Sequence, residues 1–259
     1  MAGAITVIVF GVITAVALFT NTPPGRVFLL SLALITAWVL CLGKSLSMNR
    51  WWGALINNRN LMSMSRLQTL MWSVVVFAGL LVIMLLRLRH GVSDPLDVKV
   101  DQHLWWALGI SLGSLAGTPM ILDAKKSQTP SDSALDKTAG QLKEDKGQID
   151  DNRVGTLYSN QSPDNATFTD MFQGDEVGNA AQLDIAKIQM FVLTVALIVS
   201  YAAALWAAVA SSVHFTDQNW KDFTLPVLSG TQIALLGVSH AGYLAAKTVS
   251  KTQTQEQQN

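Results

Sequence analysis

One histidine stands well inside an apolar stretch of this chain: His240, in Val238-Ser239-His240-Ala241-Gly242-Tyr243. A charge buried there is costly, so the imidazole is expected to be neutral unless it is paired or faces water. Two roles fit. It is either a functional group on a polar path or a histidine bonded to a carbonyl or hydroxyl of a neighbouring helix. Ser239 beside it does not make a catalytic dyad. Adjacent helical residues point about 100° apart, and no acid lies at that depth to orient the ring.

Two short motifs open apolar stretches with a cation followed by an amide: Arg66-Leu67-Gln68 and Lys187-Ile188-Gln189. A basic residue at a helix entrance ordinarily snorkels to lipid phosphate. Gln68 and Gln189 lie two residues deeper and need partners, across a pseudo-twofold axis or along a vestibule. A third candidate is the segment 168–179, where Phe168, Met171 and Phe172 form one apolar face of a short helix that Gly174 can end. Asp175, Glu176 and Asn179 follow, and Asp184 is placed to cap the next helix. The segment fits an interfacial elbow, a docking site for a cytoplasmic protein, or an acidic ion-sensing lip. It lacks the EF-hand spacing.

His90, Asp94, Asp97, Asp101 and His103 enrich another loop in nitrogen and oxygen, yet their spacing fits no metal-ligand signature. There is no phosphate-binding G-x-x-x-x-G-K-[ST], no H-E-x-x-H and no G-x-S-x-G. No catalytic, cofactor or metal residues are assigned. The single cysteine, Cys41, makes neither an internal disulfide nor a zinc site. A formal net charge of zero gives no electrostatic case for nucleic acid.

The elements that carry these residues are apolar blocks. Half of the 259 residues are apolar and 14% are charged, well below the roughly 25% of soluble domains. A bilayer core needs about 20 apolar residues per helix. Six blocks approach that length: 4–20, 27–43, 67–86, 104–122, 185–209 and 227–246. The first lacks a basic n-region and an A-x-A-like site, so it is expected as a retained helix rather than a signal peptide. The sequence therefore predicts an all-α polytopic membrane bundle of about six transmembrane helices. Thirteen Lys and Arg fall on the side holding both termini, against five on the other (Arg26, Arg87, Arg89, Lys99 and Lys221). That places the termini in the cytoplasm, with the bacterial inner (plasma) membrane as the expected location. Trp51, Trp52, Trp105, Trp106 and Trp220 fall near the expected interfaces.

A shift of 121 aligns Asn58 with Asn179, Arg66 with Lys187, Gln68 with Gln189 and Ser73 with Thr194. A shift of 128 aligns Leu108-Gly109-Ile110-Ser111 with Leu236-Gly237-Val238-Ser239. Helices 3–4 and 5–6 thus read as a parallel internal repeat. The returning helices share a small-residue face, Gly109, Gly113 and Gly117 in one and Gly237, Ala241 and Ala245 in the other. Such faces let helix backbones approach closely within the chain or between copies, or they line a pore.

The expected organisation is an N-terminal transmembrane hairpin (1–48) and a first elbow and hairpin (49–126). A flexible acidic cytoplasmic loop (127–167), a second elbow and hairpin (168–251) and a disordered tail (252–259) follow. Between Asp123 and Leu183 eleven acidic residues face six basic ones, a composition expected to stay unordered. The expected function is a non-enzymatic membrane protein, an oligomeric assembly or anchor component. Its partners are the lipid bilayer, further copies of itself and a cytoplasmic protein bound through the acidic loop and residues 168–179. The alternative is a small ion channel or transporter with its path along the faces of helices 3–6.

Overall fold

A computed structural model of the chain describes residues 2–45, 50–212, 215 and 217–255. The architecture is helical: α1 (Ala2–Phe19), α2 (Pro24–Gly43), α3 (Met64–Arg89), α4 (Gln102–Asp123), α5 (Asp132–Leu142), α6 (Lys146–Asp151), α7 (Ile185–Ser211), α8 (Asp217–Asp222) and α9 (Gly230–Thr248). One two-stranded antiparallel ribbon, β1 (Arg153–Val154) and β2 (Leu157–Tyr158), pairs Arg153 with Tyr158 and Val154 with Leu157. Among the described residues, four helices are long and apolar enough to cross a membrane: α2, α3, α4 with its 3-10 extension to Ser127, and α7. The chain is thus a membrane protein by the length and composition of its helices.

Two compact units share the long helices. The first comprises Met1–Ala54, Thr69–Gly109 and Thr194–Ala234. Pro24 starts α2, where its missing N–H leaves no helical bond unmade. Trp38 Nε1 donates to Thr6 Oγ1 at 2.8 Å and Phe10 meets the Trp38 ring edge-on, joining α1 to α2. Gly25 lies under Ala210 and Trp206, where a side chain would not fit. Trp72, Ile83, Leu104, Leu205 and Trp220 are fully buried. Trp220 is therefore a core residue rather than an interfacial one; it stacks on His90 at 5.4 Å and meets the edge of Phe215. Trp51, Trp52, Trp105 and Trp106 are exposed.

The second unit comprises Leu55–Gln68, Ile110–Leu193 and Leu235–Asn259. Its portions of α4 and α9 bury polar side chains and expose apolar ones. On α4, Ser111 and Ser114 are buried while Leu112, Gly113 and Met120 are exposed; on α9, Ser239, His240 and Lys247 are buried while Val238 and Ala241 are exposed. That is the arrangement expected of helices solvated by hydrocarbon, where polar side chains find partners only within protein.

The segment 127–167, expected to be flexible, is folded. Ser131 caps α5, its hydroxyl accepting the Ala134 N–H at 3.3 Å, and Lys143 ends the helix in the left-handed conformation. Leu135, Ala139, Ile149 and Val177 form a small core, with Leu142 and Tyr158 packed on it. The compositional argument failed because Leu135, Ala139 and Leu142 share one helix face and bury against a residue outside the segment, Val177. The tail also differs from expectation over its first half. Ser131 N–H donates to the Gln253 carbonyl at 2.8 Å and Gln255 N–H to the Thr129 carbonyl at 3.2 Å. The rest of the expected tail, 256–259, lies outside the described residues.

Candidate functional site

The site lies in the second unit and is built on two adjacent carboxylates. Asp175 is placed by the turn that begins at Gly174, whose N–H donates to the Gln182 carbonyl at 3.1 Å. A side chain at Gly174 would collide with Asn179, and one at Gly178 with the Lys251 carbonyl. The backbone approach at both points admits only hydrogen. Glu176 and Asn179 then brace the turn reciprocally. The Glu176 N–H donates to Asn179 Oδ1 at 3.0 Å, and the Asn179 N–H to the Glu176 carbonyl at 3.1 Å.

Three cations converge on Asp175. Arg59 Nη2 bonds Oδ1 at 2.6 Å, Lys187 Nζ lies 3.2 Å from Oδ2, and Lys247 Nζ bonds the same oxygen. Arg59 also donates from Nη1 to the carbonyls of Tyr158 and Asp175, each at 2.9 Å. Lys187 donates to the Gln173 carbonyl at 2.5 Å, and Lys247 sits 4.5 Å from the centre of the Tyr243 ring. Glu176, 2% exposed, holds a fourth cation: Lys125 Nζ lies 2.6 Å from Oε1 and also donates to the carbonyls of Lys247 and Val249. Glu176 Oε2 accepts the backbone N–H groups of Lys251 and Thr252, both at 2.9 Å.

Each cation comes from the end of a different long helix. Arg59 precedes α3, Lys125 follows α4, Lys187 opens α7 and Lys247 closes α9. A buried carboxylate with no partner would be driven neutral. Here burial pushes the Asp175 carboxyl upward, but the opposing pull of Lys187, Lys247 and Arg59 holds it well below the usual carboxylate range. Its stabilising contribution is therefore complete above the unfolded-state value of about 4 and is lost as pH falls through the depressed folded value. The expected melting temperature is flat from neutral pH to about pH 5 and falls below it. Asp175→Asn should flatten that acid slope; thermal unfolding of both proteins between pH 7 and pH 3 tests this.

The sequence-derived candidates separate into two groups. Asp175, Glu176, Asn179 and Lys187 belong to the network just described. Arg66 lines a cavity close to Arg59. Gln68 is 1% exposed and donates from Nε2 to the Met190 carbonyl at 3.4 Å, whereas Gln189 is exposed, so the two amides do not pair. His240 is 2% exposed, with Nδ1 2.6 Å from Ser114 Oγ and no hydrogen-bond partner at Nε2. That places it in a contact between α4 and α9. Asp184 caps α7 through the Lys187 N–H at 3.2 Å. Gly109, Gly113, Ala241 and Ala245 are exposed and Gly117 and Gly237 partly so; Gly117 lies near Leu244 and Gly237 near Ile110. In the other unit His90 is stacked on Trp220, while His103 Nδ1 lies 2.9 Å from Asp101. Among the described residues no three His, Cys, Asp or Glu groups are placed to hold a metal ion.

Arg59, Lys125 and Lys247 were not singled out by sequence reasoning, which read them only as topology-setting charges. One signal was available. Four basic residues lie near the inner ends of four apolar blocks, and the acidic pair of Gly174-Asp175-Glu176-Val177-Gly178 lies between the second and third of those blocks.

The network gives the unit a rigid, charged layer, and every group in it is engaged in holding backbone or another charge. No family model, curated protein or solved structure matches the chain.

Proposed function

We propose that this chain is a six-span integral membrane protein without enzymatic activity, an oligomeric assembly or anchor component that offers its acidic cytoplasmic layer to a partner. The observation that carries the reading is the outward turn of the small-residue faces: Gly109 and Gly113 of α4, and Ala241 and Ala245 of α9, are all exposed. Such faces are the sites at which helix backbones approach when lipid supplies no hydrophobic drive.

Two further apolar helices, α1 of 18 residues and α9 of 19, complete the six spans. The Lys and Arg bias assigns the network to the cytoplasmic side of a bacterial inner membrane. The internal repeat is supported at Ser111 and Ser239, aligned and both buried, while the aligned Gln68 and Gln189 part ways. The carboxylates of Asp175 and Glu176 face inward, so partner docking falls on exposed groups. These are Phe168 at the edge of segment 168–179 and the outer acids of α5 and α6, including Asp132, Asp136 and Asp150.

Cysteine cross-linking tests the oligomer. In a Cys41→Ser background, Gly113→Cys and Ala241→Cys are expected to form covalent dimers in native membranes, and the buried Ser114→Cys is not. Absence of dimers at both outward positions, with a monomeric mass in detergent, removes the reading. Reconstituted protein is expected to pass no ions. A saturable flux that His240→Ala abolishes replaces the reading with the channel or transporter alternative.

A further inference from the structure

A cavity of about 270 Å³ opens in the second unit between the loop before α3 and the last turns of α4. That is near the small end of ligand pockets, about 300–1,000 Å³, and suits a headgroup rather than a large molecule. Arg59, Arg66 and Lys126 line it together with Ser63 and Ser65, and no carboxylate does. Arg59 is held in place by Asp175 and two carbonyls, so its guanidinium is fixed before any ligand arrives. Lys126 pairs with the exposed Asp123 at 2.8 Å, a pairing worth little.

One apolar part of the wall belongs to α4: Leu115, Pro119 and Leu122. Pro119 is exposed, and Leu112, two turns before it on the helix and 53% exposed, continues the same apolar strip. A cationic, hydroxyl-lined pocket that runs into an apolar helix face matches an amphiphile with a phosphate at one end. Arginine and serine supply the donors that phosphate oxygens require.

We propose that this cavity binds a phosphate group, and specifically the phosphate of an anionic membrane lipid whose acyl chain lies along the Leu112–Pro119 strip. The assignment rests on the membrane placement of α4 and is independent of oligomerisation or of any cytoplasmic partner. The full-length protein is purified in mild detergent and offered phosphatidylglycerol, phosphatidylcholine or inorganic phosphate, with bound molecules measured by native mass spectrometry. Wild type is expected to retain phosphatidylglycerol in preference to phosphatidylcholine. Each cation near the surface contributes about five-fold to such binding, so Arg66→Ala/Lys126→Ala should weaken retention roughly thirty-fold. Retention is compared for each protein below its own melting temperature, so that the comparison is between folded proteins. Asn58→Asp, which places a carboxylate at an exposed point of the lining, should weaken retention about five-fold and serves if the double variant fails to fold. Equal retention of the two lipids, or retention unchanged in folded variants, overturns the proposal. Saturable binding of inorganic phosphate with the same variant dependence, but without lipid retention, overturns the lipid assignment in favour of a soluble phosphate.

Discussion

Asp175→Ala is expected to lower unfolding stability by about 3–5 kcal/mol, the largest effect of any single substitution in the second unit. The variant leaves Arg59, Lys187 and Lys247 buried together without their common counter-charge. Removing one partner of a buried ion pair costs far more than the pair itself contributes, because the remaining charge loses both its partner and its water. Here three charges lose a partner at once and repel one another. In thermal unfolding the loss corresponds to a fall on the order of 10 °C. A fall of only a degree or two would mean that water reaches the cations, and the network would then be a surface feature.

The second large effect belongs to Glu176. Glu176→Gln removes the charge facing Lys125, which is 6% exposed, and an expected loss of about 3 kcal/mol follows. This variant has a local signature as well. Glu176 Oε2 accepts the N–H groups of Lys251 and Thr252, so the segment after α9 should loosen. Hydrogen exchange at those two amides is expected to accelerate by at least ten-fold relative to amides within α7. Unchanged protection at Lys251 and Thr252 would show that the segment is held by its other contacts, with Thr129, Ser131 and Gly178.

The two sites behave differently because their geometry differs. Asp175 gathers long side chains from three helix ends, so its loss is global. Glu176 joins one side chain to two backbone amides, so its loss is felt along a few residues of the chain. Both depend on Gly174 and Gly178, where the backbone passes too close to Asn179 and Lys251 for a Cβ. Gly178→Ala should accordingly mimic Glu176→Gln in the exchange experiment, by pushing Lys251 and Thr252 away from the carboxylate.

The helices were legible in the sequence because a bilayer imposes a length and a composition that appear directly in the residues. The Asp184 cap of α7 was legible too, since a cap is a relation between residues three apart. The ion network was not. Arg59 and Asp175 are separated by 116 residues and Lys125 and Glu176 by 51, and no periodicity encodes such a pairing. His240 drew notice because a histidine within an apolar block is rare, and its partner Ser114 escaped because serine is ordinary there. The acidic segment misled for a related reason. Its charge suggested disorder, while the few apolar residues that order it, Leu135, Ala139 and Ile149, find their fourth member at Val177. The small-residue faces turn outward in the structure, a direction that glycine spacing alone does not give.

The claim on which the rest stands is that Asp175 and the helix-end cations form one coupled, buried unit. A double-mutant cycle with Asp175→Asn and Lys247→Met measures that coupling directly by thermal unfolding of the four proteins. If the network is buried and shared, Asp175→Asn is strongly destabilising in wild type and much less so once Lys247 is gone. The coupling energy should then be about 1–3 kcal/mol. Additive effects of the two substitutions, within about 0.3–0.5 kcal/mol, would contradict it.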